Sequence, residues 1–337
     1  MEKLFGCIFG GAYADALGKA TEFMSKAECV KNYGSRISFE EIVQDFHRDA
    51  WDKYDWTDDT DQAVLVMRTI SKAIKSNSTN SHIDFANRLN HWVFNGFSEL
   101  GDTSGCGIGA PVGWVINFKT FRENPYLASY EVWKSSDGYL YEDGAIMRTA
   151  PIGCFNIKKE LAIFYSISIC KTTHFDPRCV GACVFITSCV YEFINNKDVS
   201  IDNVIDESQA LAISEMNKLN YISGVDYTIE KYIEKFKKYI NKGKQSSLDN
   251  IDFNKGSSRS NTKNPLICAV FAMKNMKTKS FDEILQYIIF QGGDADTNGC
   301  VAGSVMGAYL GYNRLPKDVS SLKHHSWLMN ECKVFNR

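Results

Sequence analysis

Two acidic segments of the sequence combine carboxylate and hydroxyl side chains directly before an apolar stretch. They are residues 56–61 (WTDDTD) and 292–297 (GGDADT). Aspartate and threonine also cap helix N-termini, so one such segment alone would be an ordinary cap. Two of them indicate a cation site, because neighbouring carboxylates repel one another unless a cation neutralises them. Side chains that offer only oxygen atoms favour magnesium or manganese over zinc.

Helices must position these acids, since helical periodicity dominates the chain. Apolar residues recur at helical spacing in residues 63–74 and in eight further segments. These segments are 84–97, 159–171, 178–195, 206–220, 227–241, 265–275, 281–290 and 297–310. Alternating strand patterns are scarce, and residues 35–43 are a weak strand candidate. The polar segment 242–264 predicts a long exposed loop within one all-α domain that covers residues 1–337.

Small residues recur every four positions near both ends of the chain. The two series are Gly6, Gly10, Ala14 and Gly18, and Gly299, Gly303, Gly307 and Gly311. Glycine inside a helix costs about 1 kcal/mol relative to alanine, so its repetition calls for a packing reason. A ridge without side chains allows two helix backbones to approach closely. We expect the two helices to cross in the core and to bring Asp15 and Glu22 near the second acidic segment. The alternative is that each ridge packs against some other helix.

Composition is that of an ordinary globular protein. Of 337 residues, 44% are hydrophobic and 23% are charged, and the formal net charge is −2. The basic stretch 231–244 alternates with apolar residues, which predicts a solvated helix face and no direct nucleic-acid binding.

Eleven cysteines without a C-x-x-C pair, and no clear signal peptide, indicate a reduced intracellular, cytoplasmic protein. The apolar runs are shorter than the roughly 18–20 residues that span a membrane. We also expect the protein to be a monomer.

Five segments, in chain order, resemble the motif set of the ADP-ribosylglycohydrolase family. They are GCIFGGAYADALGKATEF, WTDDTD, DGAIMRTAPIG, TTHFDP and GGDADTNGCVAGSVMGAYLG. The resemblance implies a compact, orthogonal multi-helix bundle with two magnesium ions, replaceable by manganese, in a cleft. It also matches Glu22 to a glutamate that approaches the metals and the scissile bond in some members. The metal ligands implied by the resemblance are Thr57, Asp58, Asp59, Asp294, Asp296 and Thr297.

Two further features resemble the family, and Asp61 and Arg148 are interpreted from the sequence alone. A glycine-rich segment is a flexible loop on its own, but it resembles the segment that holds the ADP-ribose phosphates. It consists of Gly105, Cys106, Gly107, Ile108 and Gly109. His174 matches a ligand-contacting histidine of the family, although it also suits a capping role at a helix entrance. Asp61 is either a further acid that acts through water or a first-turn helix residue. We expect Arg148 to be structural.

The implied reaction is hydrolysis at the anomeric carbon of the distal ribose in an ADP-ribosylated protein or a small ADP-ribose derivative. A magnesium pair would activate water and orient the ribose diol, and Asp59 or Glu22 would transfer protons. One alternative is a catalytically silent ADP-ribose-binding module. Another is a magnesium-dependent phosphatase, because DADTN resembles the D-x-D-x-T motif of haloacid-dehalogenase-type enzymes. Asp143, where many relatives carry asparagine, leaves substrate preference open, and the leaving group is not determined.

Overall fold

The computed structural model describes residues 1–196, 198–219, 228–256 and 259–336, and helices dominate these ranges. The α-helices are α1 (Glu2–Gly18), α2 (Lys26–Tyr33), α3 (Asp58–Ser76), α4 (Ser81–Asn95), α5 (Ala110–Ile116), α6 (Pro125–Ser135), α7 (Lys159–Lys171), α8 (Pro177–Asn195), α9 (Ile201–Asn217), α10 (Ile229–Gly243), α11 (Lys263–Asn275), α12 (Phe281–Ile289), α13 (Ala295–Leu310) and α14 (His325–Glu331). Within the described ranges there is no strand, and Glu142 and Asn261 form an isolated antiparallel bridge. The predicted all-α fold is confirmed.

Every helix predicted from periodicity is present, with ends that shift by a few residues. Helix α4 ends at Asn95 because Gly96 has a φ of 59°, so the predicted end at residue 97 is too late. Residues 220 and 227, at the ends of two predicted helices, lie outside the described residues. Helix α10 has the predicted form, since Tyr232, Phe236 and Ile240 are buried while its lysines face outward.

One hydrophobic core extends from Leu4 to Cys332, which supports our proposal of a single domain. All eleven cysteines are free thiols; Cys106 is exposed and the others are buried. Among the described helices, α8 alone is long and apolar enough to cross a membrane. However, 83% of its apolar window is buried inside the protein, as in a core helix.

The strand candidate at residues 35–43 is wrong. The segment forms a 3-10 turn at Phe39–Glu41, and Ile37 and Phe39 are buried against the helices. The amide side chain of Gln286 donates to the Ile37 carbonyl at 2.8 Å and accepts from the Ile37 N–H at 2.9 Å. One side chain thus satisfies the backbone groups that a neighbouring strand would otherwise pair.

A loop joins α10 to α11, as predicted for residues 242–264, but several of its described residues are buried, so it is only partly exposed. Leu248 and Phe253 are at most 1% exposed, so they pack into the core. The N–H of Thr262 donates to the Tyr141 carbonyl at 3.0 Å, next to the bridge between Glu142 and Asn261. Residues 257–258 lie outside the described residues. The segment therefore packs across the body of the protein.

Helices α1 and α13 lie side by side in opposite directions, as the glycine ridges predict. A Cβ added to Gly10 would lie 2.5 Å from the Gly303 carbonyl oxygen, and one added to Gly307 would lie 1.9 Å from the Gly6 oxygen. At the other end of the contact, a Cβ on Gly18 would lie 2.6 Å from the Cα of Asp296. The backbones thus touch along the length of both helices, and the end of α1 meets the start of α13.

Valine at Gly303 should therefore destabilise the protein. Its Cβ would lie 2.3 Å from the Gly10 carbonyl oxygen, and neither backbone can move without separating the helices. We expect the free energy of unfolding to fall by about 3 kcal/mol, as overpacking of a core typically costs. Urea unfolding measures this change.

Gly113→Ala provides the matched control, because a Cβ at Gly113 would have no atom within 4 Å. Alanine in this exposed part of α5 should be neutral or stabilising by up to about 1 kcal/mol. Equal stability of the Gly303→Val variant and the wild type would contradict the packing of α1 on α13.

Candidate active site

The two acidic segments meet where the N-termini of α3 and α13 converge. Thr57 caps α3, and its hydroxyl lies 3.4 Å from Asp296 Oδ2. The Thr297 hydroxyl donates to Asp59 Oδ1 at 3.2 Å. The contact between segments that are far apart in the sequence is thus direct, as the resemblance implies.

Asp15, at the end of α1, fixes the start of α3. Its Oδ1 accepts from the N–H (3.0 Å) and hydroxyl (2.8 Å) of Thr57, and its Oδ2 accepts from the N–H (3.0 Å) and hydroxyl (2.5 Å) of Thr60. Burial raises the pKa of Asp15, whereas these four hydrogen bonds lower it. The glycine ridge predicts that Asp15 lies here. The sequence gives no sign that it anchors a second helix.

Three carboxylates form the tightest group of candidate metal ligands. Oxygen atoms of Glu22, Asp294 and Asp296 all lie within 4.8 Å of one another, and all three residues are buried. Glu22 Oε2 also bonds to His47 Nε2 at 2.6 Å. Glu22 therefore lies among the predicted ligands of α13, as its position after α1 predicts.

Negative charge is concentrated here in a buried environment. Burial and neighbouring carboxylates raise the pKa values of Asp58, Asp59 and Asp296 well above the usual range. Asp59 Oδ2 is buried and has no hydrogen-bond partner among the described residues. An unpartnered carboxylate oxygen beside several others is the environment that a hard divalent cation satisfies. The donor set thus fits magnesium or manganese.

Asp143 belongs to the same cluster, although sequence reasoning did not select it. Burial raises its pKa well above the usual range, and the charges of Asp294 and Asp58 contribute to the shift. Its Oδ2 is likewise buried and has no partner among the described residues. The sequence signal that could have identified it is the aspartate at a position where many relatives carry asparagine. This residue adds a further acid to the cluster.

A hydrogen-bond chain links the acidic cluster to His174. Gln62 donates to Asp58 Oδ2 at 2.7 Å and accepts from Arg148 Nη1 at 2.6 Å. Arg148 also donates to the Thr173 hydroxyl at 2.6 Å, and this hydroxyl bonds to His174 Nδ1 at 2.8 Å. Arg148 is completely buried and holds this framework, which fits its predicted structural role.

The imidazole of His174 faces the turn that carries Asp143. A Cβ on Gly144 would lie 3.1 Å from His174 Cε1, and His174 Nε2 is buried without a partner among the described residues. Burial lowers the pKa of His174 to about 3, and the charge of Arg148 adds to this effect. His174 is therefore neutral near pH 7 and has one ring nitrogen available to a ligand.

The glycine-rich segment 105–109 lies beside the acidic cluster. Gly107 has a φ of 97°, and a Cβ there would lie 2.5 Å from Asp58 Oδ1 and 3.3 Å from the Trp51 ring. Gly105 packs on the Trp92 ring, and its N–H donates to the Val93 carbonyl at 3.2 Å. The segment is thus close enough to contact a ligand bound at the carboxylates, and its role with phosphates stays a prediction.

Asp61 points away from the cluster. Its Oδ1 accepts from the indole N–H of Trp56 at 2.8 Å, and its Oδ2 accepts from that of Trp92 at 3.0 Å. Burial raises the pKa of Asp61 to about 8, although both indole hydrogen bonds lower it. Since both oxygens are occupied, the geometry favours the first-turn structural role over a role in proton transfer.

His47 is a neighbour of the site that the sequence does not reveal. It lies in a turn without a motif, and its ring packs between Phe23 (centroids 5.0 Å apart) and Trp51 (5.5 Å). Its hydrogen bond to Glu22 raises the pKa of His47. It therefore holds one oxygen of Glu22 at the edge of the cluster.

Magnesium should stabilise the protein more at pH 8 than at pH 5. Carboxyl groups whose pKa is raised by folding stabilise the protein when they are protonated. That contribution is lost as the pH rises from their ordinary pKa of about 4 through the raised values. A divalent cation supplies the missing positive charge only where the carboxylates are ionised. Calorimetry in Mg²⁺ and in EDTA should give the larger difference in Tm at pH 8.

Asp296→Asn should lose most of this response, because it removes a charge from the cluster. Asp249→Asn is the control, since Asp249 is a half-exposed surface acid that pairs with Lys26. If Mg²⁺ raises Tm equally in both variants, the cation binds elsewhere.

Comparisons with known proteins agree with this geometry. The family model described as ADP-ribosylglycohydrolase matches residues 1–336. An uncharacterized protein of Archaeoglobus fulgidus is 26% identical over 316 residues, covering 91% of this chain and 87% of the relative. The ADP-ribosyl-[dinitrogen reductase] glycohydrolase of Rhodospirillum rubrum is 23% identical over 319 residues, covering 94% of this chain and 88% of the relative.

A solved structure titled ADP-ribosylglycohydrolase-related protein complex has the same fold, with a TM-score of 0.59 and 17% identity. The match covers 99% of this chain and 96% of that chain. Since the family model spans nearly every residue, and the fold places the family's acidic motifs together, the chain belongs to the ADP-ribosylglycohydrolase family, a family of hydrolases that cleave ADP-ribose linkages.

Proposed function

We propose that this protein uses magnesium to hydrolyse the bond at the anomeric carbon of the distal ribose in an ADP-ribosylated protein or a small ADP-ribose derivative. The products are ADP-ribose and the free acceptor. The observation that carries this proposal is the meeting of the two acidic segments, in which Thr57 contacts Asp296 and Thr297 contacts Asp59. Membership of the family supports the reaction class.

Two magnesium ions would be held by the oxygen atoms of both segments. When bound, they would supply an activated water and a template for the ribose hydroxyls. The buried, unpartnered Asp59 Oδ2 supports this assignment, because a buried ionised oxygen without a partner is costly. The proposed ligands are Thr57, Asp58, Asp59, Asp294, Asp296 and Thr297.

Glu22 and Asp59 are the proposed groups for proton transfer. Hydrolysis places a hydroxyl group on the anomeric carbon, breaks the bond to the acceptor and delivers a proton to the acceptor atom. Burial raises the pKa of Glu22, although its hydrogen bond to His47 lowers it, and Glu22 is our candidate for delivering the proton to the leaving atom. Asp59, which is bonded to Thr297 through Oδ1, would take the proton of the attacking water once the cations neutralise the neighbouring charges. The division of the two roles between Glu22 and Asp59 is part of the proposal.

Three groups around the cluster would bind the remainder of the substrate. His174 offers its neutral Nε2 beside Gly144, which suits a hydrogen bond to a ribose or phosphate oxygen. Asp143 presents a free carboxylate oxygen that suits a ribose hydroxyl. The glycine-rich segment 105–109 borders Asp58 and would receive phosphates through its backbone.

The structure argues against the phosphatase alternative. The D-x-D-x-T motif of haloacid-dehalogenase-type enzymes follows a buried strand, whereas Asp294 follows helix α12. The described residues contain no strand that could carry it. A silent ADP-ribose-binding module is the remaining alternative, and retention of the complete acidic set favours an enzyme over it.

Activity assays on paired variants test the proposal. Asp296→Ala should lower both Mg²⁺ affinity and turnover by about 100-fold or more, since it removes a ligand of the activating cation. Glu22→Gln should lower kcat by about 100-fold, as loss of an acid–base group does, and should lower Mg²⁺ affinity less than Asp296→Ala because the amide oxygen remains. Free ADP-ribose is measured with arginine-, serine- and acetyl-linked substrates, with and without EDTA.

Asp249→Asn serves again as the control and should keep wild-type turnover. Wild-type protein that binds ADP-ribose but releases none from any substrate would establish the silent module. Full activity in EDTA would contradict the role of the metal.

A further inference from the structure

A loop segment that precedes the first acidic motif packs against the turn that carries Glu22. We call residues 45–51 the clamp. Arg48 of the clamp is 6% exposed, and its guanidinium donates from Nε to the Ala20 carbonyl at 2.8 Å and from Nη2 to the Glu22 carbonyl at 2.6 Å. One buried side chain thus fixes the backbone on both sides of Thr21.

The clamp is held in shape by its own hydrogen bonds. Asp45 accepts from the N–H of Arg48 at 2.8 Å and from Arg48 Nη1 at 2.5 Å. His47 lies inside this turn, directly before the 3-10 turn Arg48–Ala50. The position of His47 is therefore set by the same turn that holds the backbone of Glu22.

Two aromatic rings orient the imidazole of His47. Its centroid lies 5.0 Å from that of Phe23 and 5.5 Å from that of Trp51. Phe23 is itself fixed, because its N–H donates to the Gly293 carbonyl at 2.6 Å and its φ is 61°, which a bulky residue rarely adopts. Strain of this kind persists where the surrounding structure enforces it. The imidazole thus has little freedom to turn away from Glu22.

The hydrogen bond between His47 Nε2 and Glu22 Oε2 measures 2.6 Å. An ionised carboxylate only accepts, so Nε2 carries the proton in this bond. The donors of the adjacent Arg48 are used on main-chain carbonyls and on Asp45 and do not serve this carboxylate. The side chain of Glu22 is 8% exposed, so water has little access to replace the imidazole. The carboxylate of Glu22 therefore depends on His47 for this contact.

Repulsion opposes the observed position of Glu22. One oxygen atom from each of Glu22, Asp294 and Asp296 lies within 4.8 Å of the other two. Burial and the charge of Asp294 raise the pKa of Glu22, whereas the hydrogen bond to His47 lowers it. A flexible glutamate side chain without a partner would turn away from like charges. The donor on His47 opposes that movement.

We propose that His47 is a positioning residue for the reaction, and that its Nε2–H holds the carboxylate of Glu22 beside Asp294 and Asp296. This inference rests on the proposed function, in which Glu22 delivers the proton to the leaving atom. His47 contacts neither the substrate nor a cation in this role. It acts by keeping Glu22 among the other acids, where the scissile bond would lie.

Turnover of the complete protein in Mg²⁺ separates the hydrogen bond of His47 from its packing. His47→Phe keeps a ring between Phe23 and Trp51 but removes the donor. It should lower kcat about 30-fold and change KM by less than about twofold, because a hydrogen bond to a charged group is lost. His47→Gln should regain much of kcat, since its amide can donate from nearly the same position. His91→Phe is the matched control and should keep wild-type kcat, because His91 is exposed and contacts Asn95 within α4.

A double variant tests whether His47 acts through Glu22. In protein that already carries Glu22→Gln, adding His47→Phe should lower kcat further by less than about twofold, because the group that His47 positions is gone. A merely structural role would lower kcat by the same factor in both backgrounds. Equal losses in the two backgrounds would therefore overturn the inference and leave the proposed function intact.

A crystal structure of His47→Phe gives a readout that does not depend on activity. We expect the Glu22 carboxylate to leave the group of Asp294 and Asp296, while Tm stays close to that of the wild type. A Glu22 side chain that keeps its place would refute the positioning role. If His47→Phe does not fold, His47→Asn takes its place, since its shorter amide does not reach Glu22. Wild-type protein that releases no ADP-ribose would overturn the proposed function, and the position of Glu22 would still decide whether His47 holds it.

Discussion

The direct backbone contact between α1 and α13 is the constraint on which the site depends. Because glycines face each other at Gly10 and Gly303, the two helices approach more closely than helices with side chains can. Their ends then place Asp15 against the start of α3 and Gly18 against Asp296. The site thus forms where three helix ends meet, and a wider spacing would separate its oxygen atoms.

A second constraint is electrostatic. Several carboxylates are buried in the cluster, and among the described residues no lysine or arginine forms an ion pair with them. Asp15 compensates for burial with four hydrogen bonds from Thr57 and Thr60. Asp59 and Asp143 each retain a buried oxygen without a partner among the described residues. This difference supports the proposal that Asp15 is structural whereas Asp59 and Asp143 contact a cation or substrate, since an unpartnered buried charge is costly.

Features with local periodicity could be predicted from the sequence, and features that depend on distant partners could not. The helices and the glycine ridges have residue types that recur every three or four positions, so the sequence predicts them. Each acidic segment is a motif of six residues, which is also visible in the sequence. The strand candidate at 35–43 is wrong because a distant amide, that of Gln286, satisfies its backbone. The loop predicted at 242–264 is less exposed than expected because Leu248 and Phe253 pack into the core, which its polar composition does not indicate. The position of His47 beside Glu22 depends on tertiary structure alone.

The partnership of α1 with α13 also has a consequence for biosynthesis. Helix α1 is synthesised about 300 residues before helix α13, the surface on which it packs. At about 5–20 residues per second, the nascent chain would wait roughly 15 to 60 s before Gly307 could meet Gly6. During this interval the glycine face of α1 has no partner, and the native arrangement is delayed by the entropy of closing so large a loop. Assembly of the carboxylates should therefore be among the late events of folding.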